Sequence, residues 1–302
     1  MIKWILKKII PKPLKKRYDV FQQNRALKLL VNFPFNDDNE FLKYYHNILK
    51  NDLSISKNDV VLIHSSINKL YLKFPFYKIV NILRELVGEN GTILFPTYPK
   101  YTSYEFLKRN QIFDVRKTPT ITGLLNEFAR RFPGSIRSLH PTKSVCSIGP
   151  LSQELTSHHQ DSPYPYDTCS PYGKIIGKNA KIIGIGVNTS YLSNAHCIDD
   201  YLKEKFPVNP YHKKLFESKC INYQGEQVIV KTYAHNMRKM NFNLPKFFNK
   251  YVPKDICNDL IINNVPFFIA DANLLFDYML NLAVEDNITI YHKYYYKWSK
   301  MI

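Results

Sequence analysis

Three short apolar runs, each ending in polar residues, constrain this chain more than any other feature. "DVVLIHSSI" (59–67), "GTILFPTY" (91–98) and "AKIIGIGV" (180–187) are rich in large apolar and β-branched residues without strict alternation, the pattern of strands buried on both faces. Between the first two lies "FYKIVNILRELVG" (76–88), where apolar residues recur at three- and four-residue intervals and the run closes on Gly88, a good helix stop. "TGLLNEFARRFPG" (122–134) reads as another helix, with Thr122 available as a cap and Pro-Gly behind it. A stretch around 38–51 reads as an acid-capped helix ahead of the first strand. Strands alternating with helices predict an α/β fold: a mixed, mostly parallel central sheet flanked by helices. No linker interrupts residues 35–302, so that span is read as one domain behind a basic amphipathic arm over 1–34.

Charge narrows the partners. Forty-two Lys and Arg against 25 Asp and Glu leave a formal net charge of +17, which favours anionic ligands and disfavours polycations. Nucleic acid, acidic lipid, phosphorylated metabolites and acidic polysaccharide all fit, but no nucleic-acid module is recognisable, so nucleic acid is disfavoured. The five cysteines (Cys146, Cys169, Cys197, Cys220, Cys257) are scattered, with no C-x-x-C pair, and read as reduced cytoplasmic thiols rather than a zinc or disulfide framework. In "MIKWILKKIIPKPLKKRY" lysines interrupt the apolar run too early for a secretory leader or a membrane span. A basic amphipathic helix carrying Trp4 fits peripheral contact with an anionic membrane at its inner face; packing on the domain is the plainer alternative. Trp298 lies in a similarly basic, aromatic tail.

In sheets of this kind ligands collect where strands end. Three strand ends carry polar clusters: His64-Ser65-Ser66, Pro96-Thr97-Tyr98 and Gly186-Val187-Asn188-Thr189. A fourth cluster, "RSLHPTKSVCSIGP" (137–150), gathers Arg137, Ser138, His140, Lys143 and Ser144. There is no G-x-S-x-G elbow and no phosphate-cradling G-x-x-x-x-G-K-[ST]. His158 and His159 have Asp161 nearby, but adjacent histidines point in different directions on any regular element, so no metal is expected there or elsewhere. "NAHCIDDYL" (194–202) leaves three readings open: a proton-handling pair, a metal site, or the acidic start of a helix. On a helix, His196 shares a face with Asp199 at i+3 and with Asp200 at i+4, so either carboxylate could hold the ring.

Taken in order, these segments resemble the aminoglycoside 3-N-acetyltransferase family, acetyl-coenzyme A-dependent enzymes whose fold differs from the GNAT acetyltransferases. The resemblance rests on "VLIHSSI" (61–67), "VGENGTILFPTY" (87–98), the stretch 113–149, "SPYGKI" (170–175) and "GIGVNTSYLSNAHCIDD" (184–200). It implies transfer of an acetyl group from a thioester to an amine of a sugar-like acceptor. His196 would be the general base and Asp199 its orienting partner, in place of the family's usual His-x-x-Glu. An imidazole, with an ordinary pKa near about 6.5, suits that role at neutral pH. His64, Ser65, Ser66, Thr97, Arg137, Ser138, His140 and Ser144 would hold coenzyme A or face the developing oxyanion. Two departures stand out: "NKLYLKFPFYK" (68–78) lacks the glycine-rich turn usual after His-Ser-Ser, and Ser193 replaces a threonine three places before the histidine.

The charge points away from antibiotic polycations, so the expected acceptor is an amino sugar on an anionic carrier used in surface-polysaccharide assembly. The alternative is aminoglycoside modification, with Asp161, Asp167, Asp199 and Asp200 lining a locally acidic pocket. A further alternative is an inactive relative that serves as a membrane-surface or nucleic-acid-binding protein. Nothing in the sequence sets the oligomeric state.

Overall fold

The computed structural model describes residues 37–72, 74–240 and 243–291. The basic arm, the C-terminal tail with Trp298, and the membrane contact expected of them lie outside the described residues.

Each apolar run becomes a strand of one seven-stranded sheet: β1 (Val60–Ser65), β2 (Thr92–Pro96) and β6 (Lys181–Ile185) form its parallel centre, with β1 in the middle. Antiparallel strands complete both margins: β4 (Ile136–Arg137) and β5 (Val145–Ile148) beyond β2, then β10 (Val265–Asp271) and β9 (Cys257–Ile262) beyond β6. The sheet is mixed, and all strands but β5 and β10 run in one direction.

Alternate side chains of the central strands feed two cores. Val61, Ile63, Ile93, Phe95 and Ile183 pack beneath α1 (Asp38–Asn47), α2 (Lys78–Val87) and α4 (Leu124–Arg131). Val60, Leu62, Leu94 and Ile182 pack on the other face, against α8 (Leu244–Tyr251) and α9 (Ala272–Val284). Both faces are therefore covered, which is why these strands read as continuous apolar runs. At about 25 cal/mol per Å² of apolar area, these two layers are the main stabilising term.

The expected helices appear with shifted ends. Helix α1 passes into a π-turn at Ile48–Asp52, and α2 stops at Gly88 (φ 70). The cap of α4 differs from expectation: Gly123 (φ 126) precedes it, and the Thr122 hydroxyl instead donates to the Pro96 carbonyl. That contact ties the helix entry to the end of β2. The missing glycine-rich turn after Ser66 is replaced by a 3₁₀ turn at Ile67–Lys69. The close approach falls to Gly186 on the facing loop, where a Cβ would lie 2.5 Å from the Ser66 carbonyl oxygen.

Outside this sheet, β3 (Phe113–Asp114), β7 (Tyr211–Ile221) and β8 (Gln227–His235) form a second one, with α3 (Ser103–Lys108) against it. The short helices α5 (Ser152–Thr156), α6 (Pro171–Lys174) and α7 (Cys197–Leu202) fill the loops between the strands. The long β7–β8 hairpin carries Tyr211, Thr232 and His235 back towards the main sheet, which matters for the site.

Candidate active site

The chain leaves β6 through Asn188, makes 3₁₀ turns at Thr189–Tyr191 and Ser193–His196, and enters α7. His196 ends the second turn and Asp199 lies in the first turn of α7. Residues three apart lie on one side of such a turn, and His196 Nδ1 is 3.0 Å from Asp199 Oδ2. Both residues are buried. The Tyr291 hydroxyl donates to the same Oδ2 at 2.8 Å, from 92 residues along the chain. A carboxylate oxygen bound to Nδ1 fixes the tautomer with a proton on Nδ1, and proton transfer then falls to Nε2. Burial pushes the Asp199 carboxyl up, while the bonds from His196 and Tyr291 oppose it.

Asp200 is the carboxylate that does not hold the ring. Its Oδ2 accepts the Tyr166 amide at 2.7 Å and its Oδ1 the Tyr211 hydroxyl at 2.5 Å, fastening α7 to the 160s loop and to β7. Around the dyad stand Tyr166 and His235, with ring centroids 5.3 and 5.4 Å from His196. His235 is buried, and neither of its ring nitrogens has a hydrogen-bond partner among the described residues; Asp199 Oδ1 is likewise unpaired. A cleft of about 380 Å³ opens beside this group, with Asp199, Tyr164, Tyr211 and Tyr233 in its wall. A larger cavity, about 630 Å³, runs past Arg137, Tyr223, His158 and Ile229 and shares no lining residue with the cleft. Of the dyad, Asp199 borders the smaller space, and neither member borders the larger one.

The residues expected to meet the coenzyme fall into three groups. His64 is buried against Phe268 with Nε2 unpaired, and burial holds it down at about 3. Ser65 and Ser66 remain partly accessible at the end of β1, with Ser65 Oγ donating to Asn126. The remaining five turn inward. The Arg137 guanidinium is buried and donates through Nε to Thr97 Oγ1 and Ser144 Oγ, through Nη1 to the Thr118 carbonyl, and through Nη2 to the Thr97 carbonyl. Ser144 Oγ also donates to the Thr97 carbonyl at 2.7 Å. Ser138 Oγ accepts the Val145 amide and meets His159 Nδ1 at 2.8 Å, while His159 Nε2 donates to the Pro165 carbonyl. His140 Nδ1 accepts the amides of Thr142 and Lys143, and its Nε2 meets Thr232 Oγ1. The His140 and His159 rings stack at 4.4 Å, and burial pushes both down. These five lie together, and their hydrogen bonds are spent on one another, on His159 and Thr232, and on the backbone.

The structure adds groups that sequence reasoning did not single out. Tyr291 and His235 reach the dyad from distant elements, and no local pattern marks them. Lys143 stands 4.5 Å over the Tyr98 ring and 5.6 Å over Tyr166, and burial lowers it to about 8. Named in the sequence with the 137–150 cluster, Lys143 sits instead against the Tyr166 ring that flanks His196.

This combination, a mixed α/β sheet with a His–carboxylate pair on the loop after a central strand, defines a recognisable class. A profile of the aminoglycoside 3-N-acetyltransferases matches residues 62–282, and the chain belongs to that family. Aminoglycoside N(3)-acetyltransferase IX of Micromonospora chalcea is 26% identical over 174 residues, covering 51% of this chain and 61% of that protein. Aminoglycoside N(3)-acetyltransferase VII of Streptomyces paromomycinus is 26% identical over 160 residues, covering 48% and 55%. The chain thus matches little more than half the length of these relatives. Among solved structures, the aminoglycoside acetyltransferase AAC(3)-Xa superposes with a TM-score of 0.70 at 17% identity, covering 87% of this chain and 98% of that one. A binary complex of AAC-IIIb with CoASH gives 0.65 at 17% identity, covering 83% and 97%. These likenesses carry the fold. Among the described residues no helix is long and apolar enough to cross a membrane.

Proposed function

We propose that the protein is an N-acetyltransferase that moves an acetyl group from acetyl-coenzyme A to an amino group of an amino sugar. The observation that carries this reading is the His196–Asp199–Tyr291 chain, whose Asp199 lines a cleft, in a member of this family. His196 Nε2 takes a proton from the acceptor nitrogen as that nitrogen attacks the thioester carbonyl. The new N–C bond forms, the C–S bond breaks, and the proton passes to the departing thiolate. Asp199 keeps the ring in the productive tautomer and stabilises the transient imidazolium, and Tyr291 keeps the carboxylate oriented. Direct attack needs no enzyme nucleophile, in keeping with the absent G-x-S-x-G motif.

The bound CoASH of the AAC-IIIb structure supports the thioester as co-substrate. Of the eight residues expected to contact it, Ser65 and Ser66 are partly accessible and the other six are buried. The relatives' names make aminoglycosides the reference acceptors, and nothing in the comparisons supports a surface-polysaccharide role. The test is release of the coenzyme thiol from acetyl-coenzyme A on adding amino sugars. His196→Ala should lower that release by about 10³-fold while the protein stays folded. Release that is unchanged by this substitution sinks the mechanism.

A further inference from the structure

In the wall of the cleft beside Asp199 two lysines balance two acids, so it lacks the acidic excess that a polycation requires. Four aspartates could have made it acidic, and only Asp199 lines it. Asp200 is buried on Tyr166 and Tyr211, Asp167 is buried on Ser162 and the Cys169 amide, and Asp161 pairs with His158 at the surface. Asp199 itself is engaged through Oδ2 with His196 and Tyr291. Glu204, the other acid in the wall, is exposed and accepts the Tyr164 hydroxyl at 2.9 Å. Facing these are Lys203 and Lys213, both exposed, neither with an ion-pair partner among the described residues.

Two irregularities of the backbone put the lysines there. Lys203 ends α7 in the left-handed region (φ 52), a conformation that a side-chain-bearing residue adopts at a cost, and its ammonium lies 5.3 Å over the Tyr164 ring. Strand β7 breaks register with β8 between Tyr211 and Leu215, and His212 and Lys213 fall inside that break. Such bulges re-aim side chains and cluster beside functional sites. Arg238 and Lys239 reinforce the positive field, since after burial they are what hold His212 below its ordinary value.

We propose that this cleft is the acceptor subsite for an amino sugar bearing an oxyanion, a phosphate or a carboxylate. Lys203 and Lys213 are its counter-charges, and Tyr164 and Tyr211 are the walls against which the sugar ring packs. The inference rests on the acetyl-transfer reading and narrows its acceptor class. A polycationic acceptor would set ammonium groups against two unpaired lysines, whereas an oxyanion neutralises them.

The test compares glucosamine, glucosamine 6-phosphate, glucosaminuronic acid and the polycation kanamycin, both by calorimetric titration and by thiol release from acetyl-coenzyme A. At low salt the phosphate or the carboxylate sugar should bind roughly tenfold more tightly than glucosamine, and the advantage should shrink as salt is added. The two anionic arms show which oxyanion the subsite prefers. Lys203→Ala combined with Lys213→Ala should bring the anionic-to-neutral ratio close to one, while Lys254→Ala, outside the cleft wall, should leave it intact. Equal binding of glucosamine and both anionic sugars overturns the proposal, and so does tightest binding by kanamycin. Anion-selective binding without thiol release keeps the subsite and defeats the acetyl-transfer reading; thiol release without anion preference does the reverse.

Discussion

Two buried polar clusters lie near each other in this protein, and they are built on opposite plans. Around Arg137, Ser138, His140 and Ser144, each histidine nitrogen and each guanidinium nitrogen has a partner, drawn from β2, β5, β8 and the loops. Around His196, Asp199 orients the ring and Tyr291 orients the carboxylate, while Asp199 Oδ1 and both nitrogens of His235 are left unpaired. Leaving a buried polar atom unpaired costs on the order of 1–3 kcal/mol. In the first cluster the charged and imidazole groups are all engaged, with the Thr142 hydroxyl left over, whereas in the second the unpaired atoms belong to the carboxylate and imidazole groups themselves.

Substitutions in the two clusters should therefore fail in different ways. The largest effect belongs to the open one: Asp199→Asn would turn an acceptor into an amide donor facing Nδ1 and favour the wrong tautomer. Turnover in the thiol-release assay should fall by roughly 10²–10³-fold with little change in thermal midpoint. A loss of stability matching the loss of activity would erase the contrast.

Arg137→Met tests the closed cluster. Removing the buried guanidinium strands the Thr118 carbonyl and takes a donor from the Thr97 carbonyl and from the hydroxyls of Thr97 and Ser144. Unfolding by denaturant should show a loss of about 3 kcal/mol, and the surviving folded fraction should keep most of its turnover per molecule. A stable but inactive variant would move Arg137 into the site.

The smallest effect lies at the edge of the closed cluster. Burial pushes Glu127 up, but Arg130, the Thr120 amide and Arg131 outweigh it and hold the carboxyl at about 2. A carboxyl whose folded pKa is depressed stabilises the protein above its unfolded pKa, near about 4.5, and loses that contribution as pH falls towards the folded value. Glu127→Gln should therefore lower the melting midpoint slightly at pH 7, and the gap to the parent should close between pH 4.5 and about 2. A gap independent of pH would show that packing, not charge, is what Glu127 supplies.

Much of this was legible before any coordinates. The strands β1, β2 and β6 announce themselves because burial on both faces demands continuous apolar runs, and α2 because its apolar spacing ends on Gly88. The pairing of His196 with a carboxylate on the same turn was legible for a similar reason: contacts between residues three or four apart follow from helical geometry alone. The Thr122 cap misled, because once β2 is beside it the hydroxyl finds its partners in the Pro96 carbonyl and the Asn126 side chain instead of the helix amides.

What the local chain could not decide was everything that depends on long-range approach. Spacing allowed either Asp199 or Asp200 to hold the ring; Tyr211 and Tyr166 claim Asp200 from the far side, and that selects Asp199. The string around Arg137 looked like a ligand-binding loop because it is dense in polar residues. Tertiary packing turned those groups inward, since a buried donor without a partner is costly and neighbouring strands supply the partners. Net charge suggested anionic ligands for the molecule as a whole. Only the turn at Lys203 and the bulge in β7 set two of those charges beside the dyad.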